Sequence, residues 1–83
     1  MSALILFRSL TYAQRASRIL ERAGTTAAIT KAPQGTSRQG CTYCIRLPAA
    51  RLPRVLQILE TNGIQHGRVL MAEMDGSWRE VQP

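Results

Sequence analysis

The chain has 83 residues, of which 45% are hydrophobic and 19% charged, so it is long enough for one small folded domain and too apolar for a disordered chain. Eleven basic and five acidic residues give a net charge of +6 and a sequence pI of about 10.7, which favours anionic ligands or acidic partners. Arg8 interrupts the first apolar run well before it could span a membrane, and no basic residue precedes that run as in a signal peptide. We therefore expect a cytoplasmic protein without membrane contact.

The first third of the chain predicts a strand, a helix and a second strand. The short segment from Ala3 to Arg8, with its continuous apolar run at residues 4–7, indicates a buried strand. Thr11 is a candidate N-cap for the following helix, which Gly24 ends. The apolar stripe of this helix consists of Tyr12, Ala16, Ile19, Leu20 and Ala23. Residues 28–30 have β-branched character and predict the second strand, before Pro33.

The rest of the chain predicts a strand, a helix and a last strand after a polar loop. Residues 42–47 alternate between two faces, with Cys44 and Arg46 on one of them. A helix with apolar residues at three- and four-residue spacing runs from about residue 50 to 62. Residues 68–74 predict the fourth strand, which a turn at 75–76 follows.

The order strand, helix, strand, strand, helix, strand predicts an α+β fold, the ferredoxin-like βαββαβ sandwich. In this arrangement a four-stranded antiparallel sheet carries both helices on one face. We assign residues 1–76 to this single domain and residues 77–83 to a C-terminal tail. The other face of the sheet would be free for a partner or a second copy, so a homodimer is possible.

Two cysteines, Cys41 and Cys44, have the C-x-x-C spacing of a redox pair or of half a metal site. In an extended strand, residues three apart lie roughly 10 Å from each other on opposite faces, too far for a disulfide. A zinc site needs four ligands, and His66 with a few carboxylates cannot complete one without a dimer. Because the chain also has no glycine-rich phosphate or dinucleotide motif, we expect neither a metal nor a cofactor.

The two cysteines differ in their sequence surroundings. Cys41 follows Gly40 in the polar loop and has Arg38 and Arg46 nearby, which would favour its thiolate. The residues alone leave a reactive thiol and an inert loop cysteine equally open for Cys41. For Cys44, which lies on a predicted strand, a small packed side chain is favoured over a second reactive thiol.

Several segments together resemble the selenium/sulfur carrier protein-like family of small bacterial domains. They are a strand ending in Phe7, the pattern T-x-A-x-x-A-x-x-I-L-x-x-A-G over residues 11–24, Cys41 after a loop, I-R-L-P at 45–48, and L-x-x-V-L-x-x-L-x-x-x-G-I over 52–64. The resemblance extends over about residues 4 to 72 and consists mainly of hydrophobic pattern.

The resemblance implies a function for Cys41. Aligning residues 45–47 places the family's cysteine on Cys41, whereas Cys44 falls on an ordinary strand position and Thr42 stands where the family has glycine. Cys41 would then accept sulfane sulfur or selenium as a persulfide or selenosulfide from a donor protein and pass it to an acceptor protein. We therefore expect a carrier or binding protein rather than a turnover enzyme.

Two other functions remain open. The chain could be a small regulatory or protein-interaction domain that dimerises through its sheet and has no chemistry of its own. A nucleic-acid-binding module would suit the charge and the fold, but strands one and three offer only Phe7 and Tyr43 for base stacking, so nucleic acid is not expected as a partner. His66 is interpreted as a surface or turn residue.

Overall fold

The structure is a computed structural model that describes residues 1–33 and 43–81. Its elements, in chain order, are β1 (Ser2–Phe7), α1 (Leu10–Arg22), β2 (Ala28–Lys31), β3 (Tyr43–Pro48), a 3-10 turn (Ala49–Arg51), α2 (Leu52–Thr61), β4 (Val69–Ala72) and β5 (Trp78–Val81). Two helices and an antiparallel sheet confirm the predicted α+β class. Neither α1 nor α2 has the length and apolar character that crossing a membrane requires.

The sheet has five strands in the order β2-β3-β1-β4-β5, and every neighbouring pair is antiparallel. The predicted number of four strands was therefore wrong. The additional strand, β5, lies in the segment that the sequence analysis treated as a tail, and it pairs with β4 in the register Leu70↔Glu80 and Ala72↔Trp78. The turn between the two strands is closed by Asp75, whose Oδ1 accepts the Ser77 N–H at 3.0 Å and the Ser77 hydroxyl at 2.6 Å.

The central strand β1 is apolar on both faces because both faces of it are covered. Its odd-numbered residues, Ala3, Ile5 and Phe7, pack into one cluster with the buried residues of the two helices. Its even-numbered residues, Leu4 and Leu6, pack on the opposite face with residues of β3 and β4. A half-exposed strand would alternate apolar and polar residues, so the unbroken run at 4–7 follows from this central position.

Both helices lie on the sheet face of Ile5 and contact each other. Helix α1 contributes Ala13, Ala16 and Leu20, which fall on the predicted stripe or beside it. Helix α2 contributes Val55 and Leu59 at a four-residue spacing. The small alanines of α1 leave room for the side chains of the sheet, and the result is a single core between the helices and the sheet.

Helix α1 begins two residues earlier than predicted. Its N-cap is Ser9, which has extended backbone angles, φ −152° and ψ 162°, and whose Oγ accepts the Tyr12 N–H at 3.3 Å. The predicted cap, Thr11, lies inside the helix, so that prediction was wrong. Both residues can accept a backbone hydrogen bond, and Ser9 takes the position because β1 ends at Phe7. The other end agrees with the prediction, because Gly24 has φ 83°.

The cap assignment predicts unequal effects for two similar substitutions. Ser9→Ala is expected to lower the free energy of unfolding by about 1 kcal/mol, because the first turn of α1 loses its side-chain acceptor. Thr11→Ala removes an exposed hydroxyl within the helix and is expected to change it by less than about 0.5 kcal/mol. Urea unfolding of both variants measures the difference, and an equal loss in both would contradict the assignment.

Candidate functional site

Of the four site residues predicted from sequence, two lie on β3. Cys44 and Arg46 are in the second and fourth positions of this strand. Cys41 and Arg38 lie outside the described residues. The structure therefore gives the surroundings of Cys44 and Arg46 and leaves the roles of Cys41 and Arg38 as predictions.

Cys44 lies on the sheet face opposite the helices and is 0% exposed. It belongs to a cluster with Leu4, Leu6 and Leu70, against which Ala32 and Trp78 also pack. Its Sγ lies 4.0 Å from the Lys31 carbonyl oxygen, a weak hydrogen bond in which the thiol is the donor. Cys44 is a free cysteine in a mainly apolar setting.

The setting of Cys44 acts on its ionisation in two opposite ways. Burial raises the pKa of the Cys44 thiol, and the guanidinium of Arg46 lowers it by a smaller amount. The net pKa lies above the ordinary value, so the thiol is protonated at neutral pH and is a weak nucleophile. The pKa of Cys44 is higher in the folded protein than in the unfolded chain. Its neutral thiol therefore contributes to stability at pH values below the ordinary thiol pKa. This contribution is lost as the pH rises through the pKa that Cys44 has in the folded protein.

The candidate metal ligands are dispersed in the part of the chain that the structure describes. Within residues 1–33 and 43–81, no three side chains of His, Cys, Asp or Glu lie together in a way that could hold an ion. Apart from carboxylates, the described residues include two side chains of a type that binds metals, His66 and Cys44. These two lie in different parts of the fold. His66 precedes β4 and lines a cleft, whereas Cys44 is buried beneath the other sheet face.

A cleft that sequence reasoning missed lies at one end of the sheet. Its volume is about 310 Å³, and we call it the Arg8 cleft; its lining residues are Arg8, Tyr12, Gln65, His66 and Gly67. Arg8 follows β1, Tyr12 is in the first turn of α1, and residues 65–67 precede β4. Three separate segments of the chain thus meet at this cleft.

A local irregularity in the strand pairing holds one side of the Arg8 cleft. Leu6 donates its N–H to the Arg68 carbonyl at 2.9 Å and accepts the Gly67 N–H at 2.7 Å. One residue of β1 therefore stands opposite two consecutive residues of the segment that leads into β4, as in a β-bulge. Bulges redirect the side chains beside them, and this one ties the His66–Gly67 peptide to the end of β1.

The hydrogen bonding of His66 fixes which ring nitrogen carries the proton in the neutral ring. His66 Nδ1 lies 2.7 Å from the Gly67 carbonyl oxygen. A carbonyl oxygen only accepts, so Nδ1 must be the donor and must carry hydrogen. In the neutral imidazole, Nε2 then has a free lone pair and acts as a hydrogen-bond acceptor.

The Arg8 cleft and the start of β3 lie at the same end of the sheet. Phe7, the last residue of β1, is opposite Tyr43, the first residue of β3, and Lys31 at the end of β2 is the other partner of Tyr43. Arg8 follows Phe7 directly, and Cys41 precedes Tyr43 by two residues in the sequence. Strand β3, which follows Cys41 in the sequence, therefore begins beside the strand that ends at the cleft.

The sequence contains few signals that could have revealed the Arg8 cleft. Arg8, Tyr12 and His66 are isolated polar residues in segments with different predicted structures, and no spacing rule connects them. The strand pairing is the only connection, because β1 pairs with β4 in the register Ile5↔Val69, which brings residues 66–68 close to the end of β1. This register depends on how two distant segments pair and cannot be read from either segment alone.

Comparison with known protein families identifies a match over most of the chain. The sequence profile of the family described as "Putative Se/S carrier protein-like" matches residues 2–70 of this chain. No curated protein matches the chain significantly. No solved structure does so either.

Proposed function

Because the chain belongs to the Se/S carrier protein-like family, as its sequence motifs indicate, we propose that it carries sulfane sulfur or selenium on the side chain of Cys41. In this proposal a donor protein loads the thiol and an acceptor protein unloads it, in the cytoplasm. The chain acts stoichiometrically and regenerates its free thiol at each delivery, so it is a carrier and has no turnover reaction of its own.

The proposed transfer is a thiol–disulfide type of exchange. The Cys41 thiolate attacks the terminal sulfur of a persulfide on the donor, an S–S bond to Cys41 forms, and the S–S bond of the donor breaks. The donor leaves as a thiolate, and the proton of the terminal sulfur travels with that sulfur. With selenium as the cargo, the new bond is S–Se and the donor again leaves as a thiolate. No external oxidant or reductant is needed in either case.

The observation that carries the proposal is the burial of the other cysteine. A carrier thiol must reach the donor's terminal sulfur and must ionise readily. Cys44 is 0% exposed, and burial raises the pKa of its thiol, so it meets neither requirement. Since the chain has only two cysteines, Cys41 is the candidate that remains.

We further propose that Arg46 and Arg38 support the thiolate of Cys41 by their positive charge. Arg46 is exposed on β3, on the same sheet face as Cys44, and its Cα partner across the sheet is Leu4. The guanidinium of Arg46 lowers the pKa of Cys44, a thiol two residues away in the sequence.

Sulfur loading tests the proposal directly. The protein is incubated with a cysteine desulfurase and cysteine, and the intact chain and its peptides are examined by mass spectrometry without reductant. We expect the mass of one added sulfur atom on the peptide that contains Cys41. The Cys41→Ser variant is expected to gain no sulfur, because a hydroxyl does not form a persulfide.

Cys44→Ala is the matched control for that experiment, since it removes the other thiol and leaves Cys41 in place. It should load to the same extent as the natural chain once circular dichroism shows that it is folded. Loading of Cys44 with Cys41 unmodified would contradict the assignment. Loading of neither residue, under conditions that load a known carrier, would favour an interaction domain without chemistry.

A further inference from the structure

We infer that the Arg8 cleft binds a small oxyanion that carries one proton, and that hydrogen phosphate is the simplest ligand of this class. The inference rests on the residues that line the cleft and does not depend on Cys41 or on sulfur transfer. The cleft volume of about 310 Å³ lies at the lower limit of ligand-binding clefts and suits a small ion or the head of a small molecule.

The charge of the cleft comes from Arg8. Two ion pairs are found within residues 1–33 and 43–81, Arg68 with Glu80 at 3.0 Å and Arg79 with Glu73 at 2.6 Å, and neither involves Arg8. A guanidinium group offers five N–H donors in a planar fork that matches two oxygens of an oxyanion. Arg8 is exposed and thus available for such a bidentate contact.

The acceptor of the cleft is His66. Because Nδ1 donates to the Gly67 carbonyl, the lone pair of Nε2 is the free hydrogen-bonding position of the neutral ring. A fully ionised carboxylate or sulfate has only acceptor oxygens and would repel this lone pair. Hydrogen phosphate has oxygens for Arg8 and an O–H for His66, so it satisfies both groups at once. Tyr12 also lines the cleft, and a tyrosine hydroxyl is a hydrogen-bond donor.

A second cleft on the other side of His66 lacks these properties. Its volume is about 460 Å³, and besides Gln65 and His66 it is lined by Leu56, Glu60 and Ile64. The carboxylate of Glu60 repels anions, and the two aliphatic side chains offer no donor. An anion is therefore directed to the side of His66 where Arg8 lies.

Hydrogen bonds to the backbone hold two of the segments that line the Arg8 cleft. The bulge opposite Leu6 holds His66 and Gly67, and the Ser9 cap holds the first turn of α1, which contains Tyr12. A site whose groups are already in place loses less conformational entropy on binding than a flexible one.

The test is a titration followed by ¹H–¹⁵N NMR at pH 8. Inorganic phosphate, sulfate and acetate are added separately at matched ionic strength. We expect phosphate to shift the signals of Arg8, Tyr12, His66 and Gly67 and to bind about tenfold more tightly than sulfate or acetate, since only phosphate retains an O–H. Equal affinity for phosphate and sulfate would overturn the inference.

Three variants distinguish phosphate binding at the Arg8 cleft from binding that is driven by the overall positive charge. Arg8→Gln is expected to weaken phosphate binding about tenfold or more, through loss of a charge-assisted contact. Arg22→Gln removes the same charge at the far end of α1 and is expected to weaken it less than about twofold. His66→Ala is expected to retain anion binding while losing the preference for phosphate over sulfate. If Arg22→Gln and Arg8→Gln have the same effect, the ion binds to the overall charge and the inference is wrong.

Discussion

Iodoacetamide is expected to modify Cys41 roughly a hundred times faster than Cys44 in the folded protein at neutral pH. The Sγ of Cys44 is 0% exposed, and burial raises the pKa of its thiol, so Cys44 can react only after local opening of the sheet. An opening free energy of about 3 kcal/mol would by itself slow the reaction roughly a hundredfold. The carrier proposal requires Cys41 to be an accessible thiolate and therefore to react without such an opening.

The rates are measured by quenching the reaction at intervals and quantifying the modified peptides by mass spectrometry. The same measurement in concentrated urea is the control, because both thiols are then equally accessible and their rates should converge. Fast modification of Cys44 in the folded protein would contradict the structure around it. Slow modification of both residues, with convergence in urea, would contradict the proposed role of Cys41 and leave the fold intact.

Trp78→Ala is expected to lower the free energy of unfolding by about 2 to 3 kcal/mol. Replacing a fully buried Trp costs about 3 to 5 kcal/mol, and Trp78 is only half-buried, so a smaller loss follows. Its ring packs against the cluster of Leu4, Leu6, Cys44 and Leu70, and its backbone pairs with Ala72 in the β4–β5 hairpin. Urea or thermal unfolding monitored by circular dichroism measures the loss.

Met74→Ala is the matched control for Trp78→Ala, since it removes a large apolar side chain from the same hairpin. Met74 is 98% exposed, so its replacement is expected to change the unfolding free energy by less than about 0.5 kcal/mol. If both variants lost the same small amount, β5 would contribute little to the fold. A larger loss for Trp78→Ala should also speed the alkylation of Cys44, because the ring is one of the groups that pack on its cluster.

The elements predicted correctly from sequence are those whose burial produces a recognisable pattern of apolar residues. The apolar run at 4–7 predicted β1 because a central strand is buried on both faces. The stripe through Ala16 and Leu20 predicted α1, and the alternation on β3 placed Cys44 and Ile45 on opposite faces, where the structure has them. Gly24 was predicted to end the first helix, and its positive φ of 83° agrees with that position.

The elements that sequence reasoning missed depend on contacts between distant segments. Strand β5 has the sequence Trp-Arg-Glu-Val, which is too short and polar to predict a strand, and it exists because β4 offers a free edge. Ser9 caps α1 in place of Thr11 because the end of β1 determines where the chain can turn. The Arg8 cleft needs both the β1–β4 register and a bulge within it, and neither can be read from residue pattern.

The central position of β1 also affects the tendency of the chain to aggregate during folding. Residues 3–7 contain no charge, proline or glycine, and such a segment is prone to aggregate whenever it is exposed in an unfolded chain. The fold encloses it between β3 and β4, while charged residues lie on the two edge strands, Lys31 on β2 and Arg79 and Glu80 on β5. Arg8, the first charge after the apolar segment, is thus placed as a gatekeeper against self-association during synthesis, as well as lining the cleft.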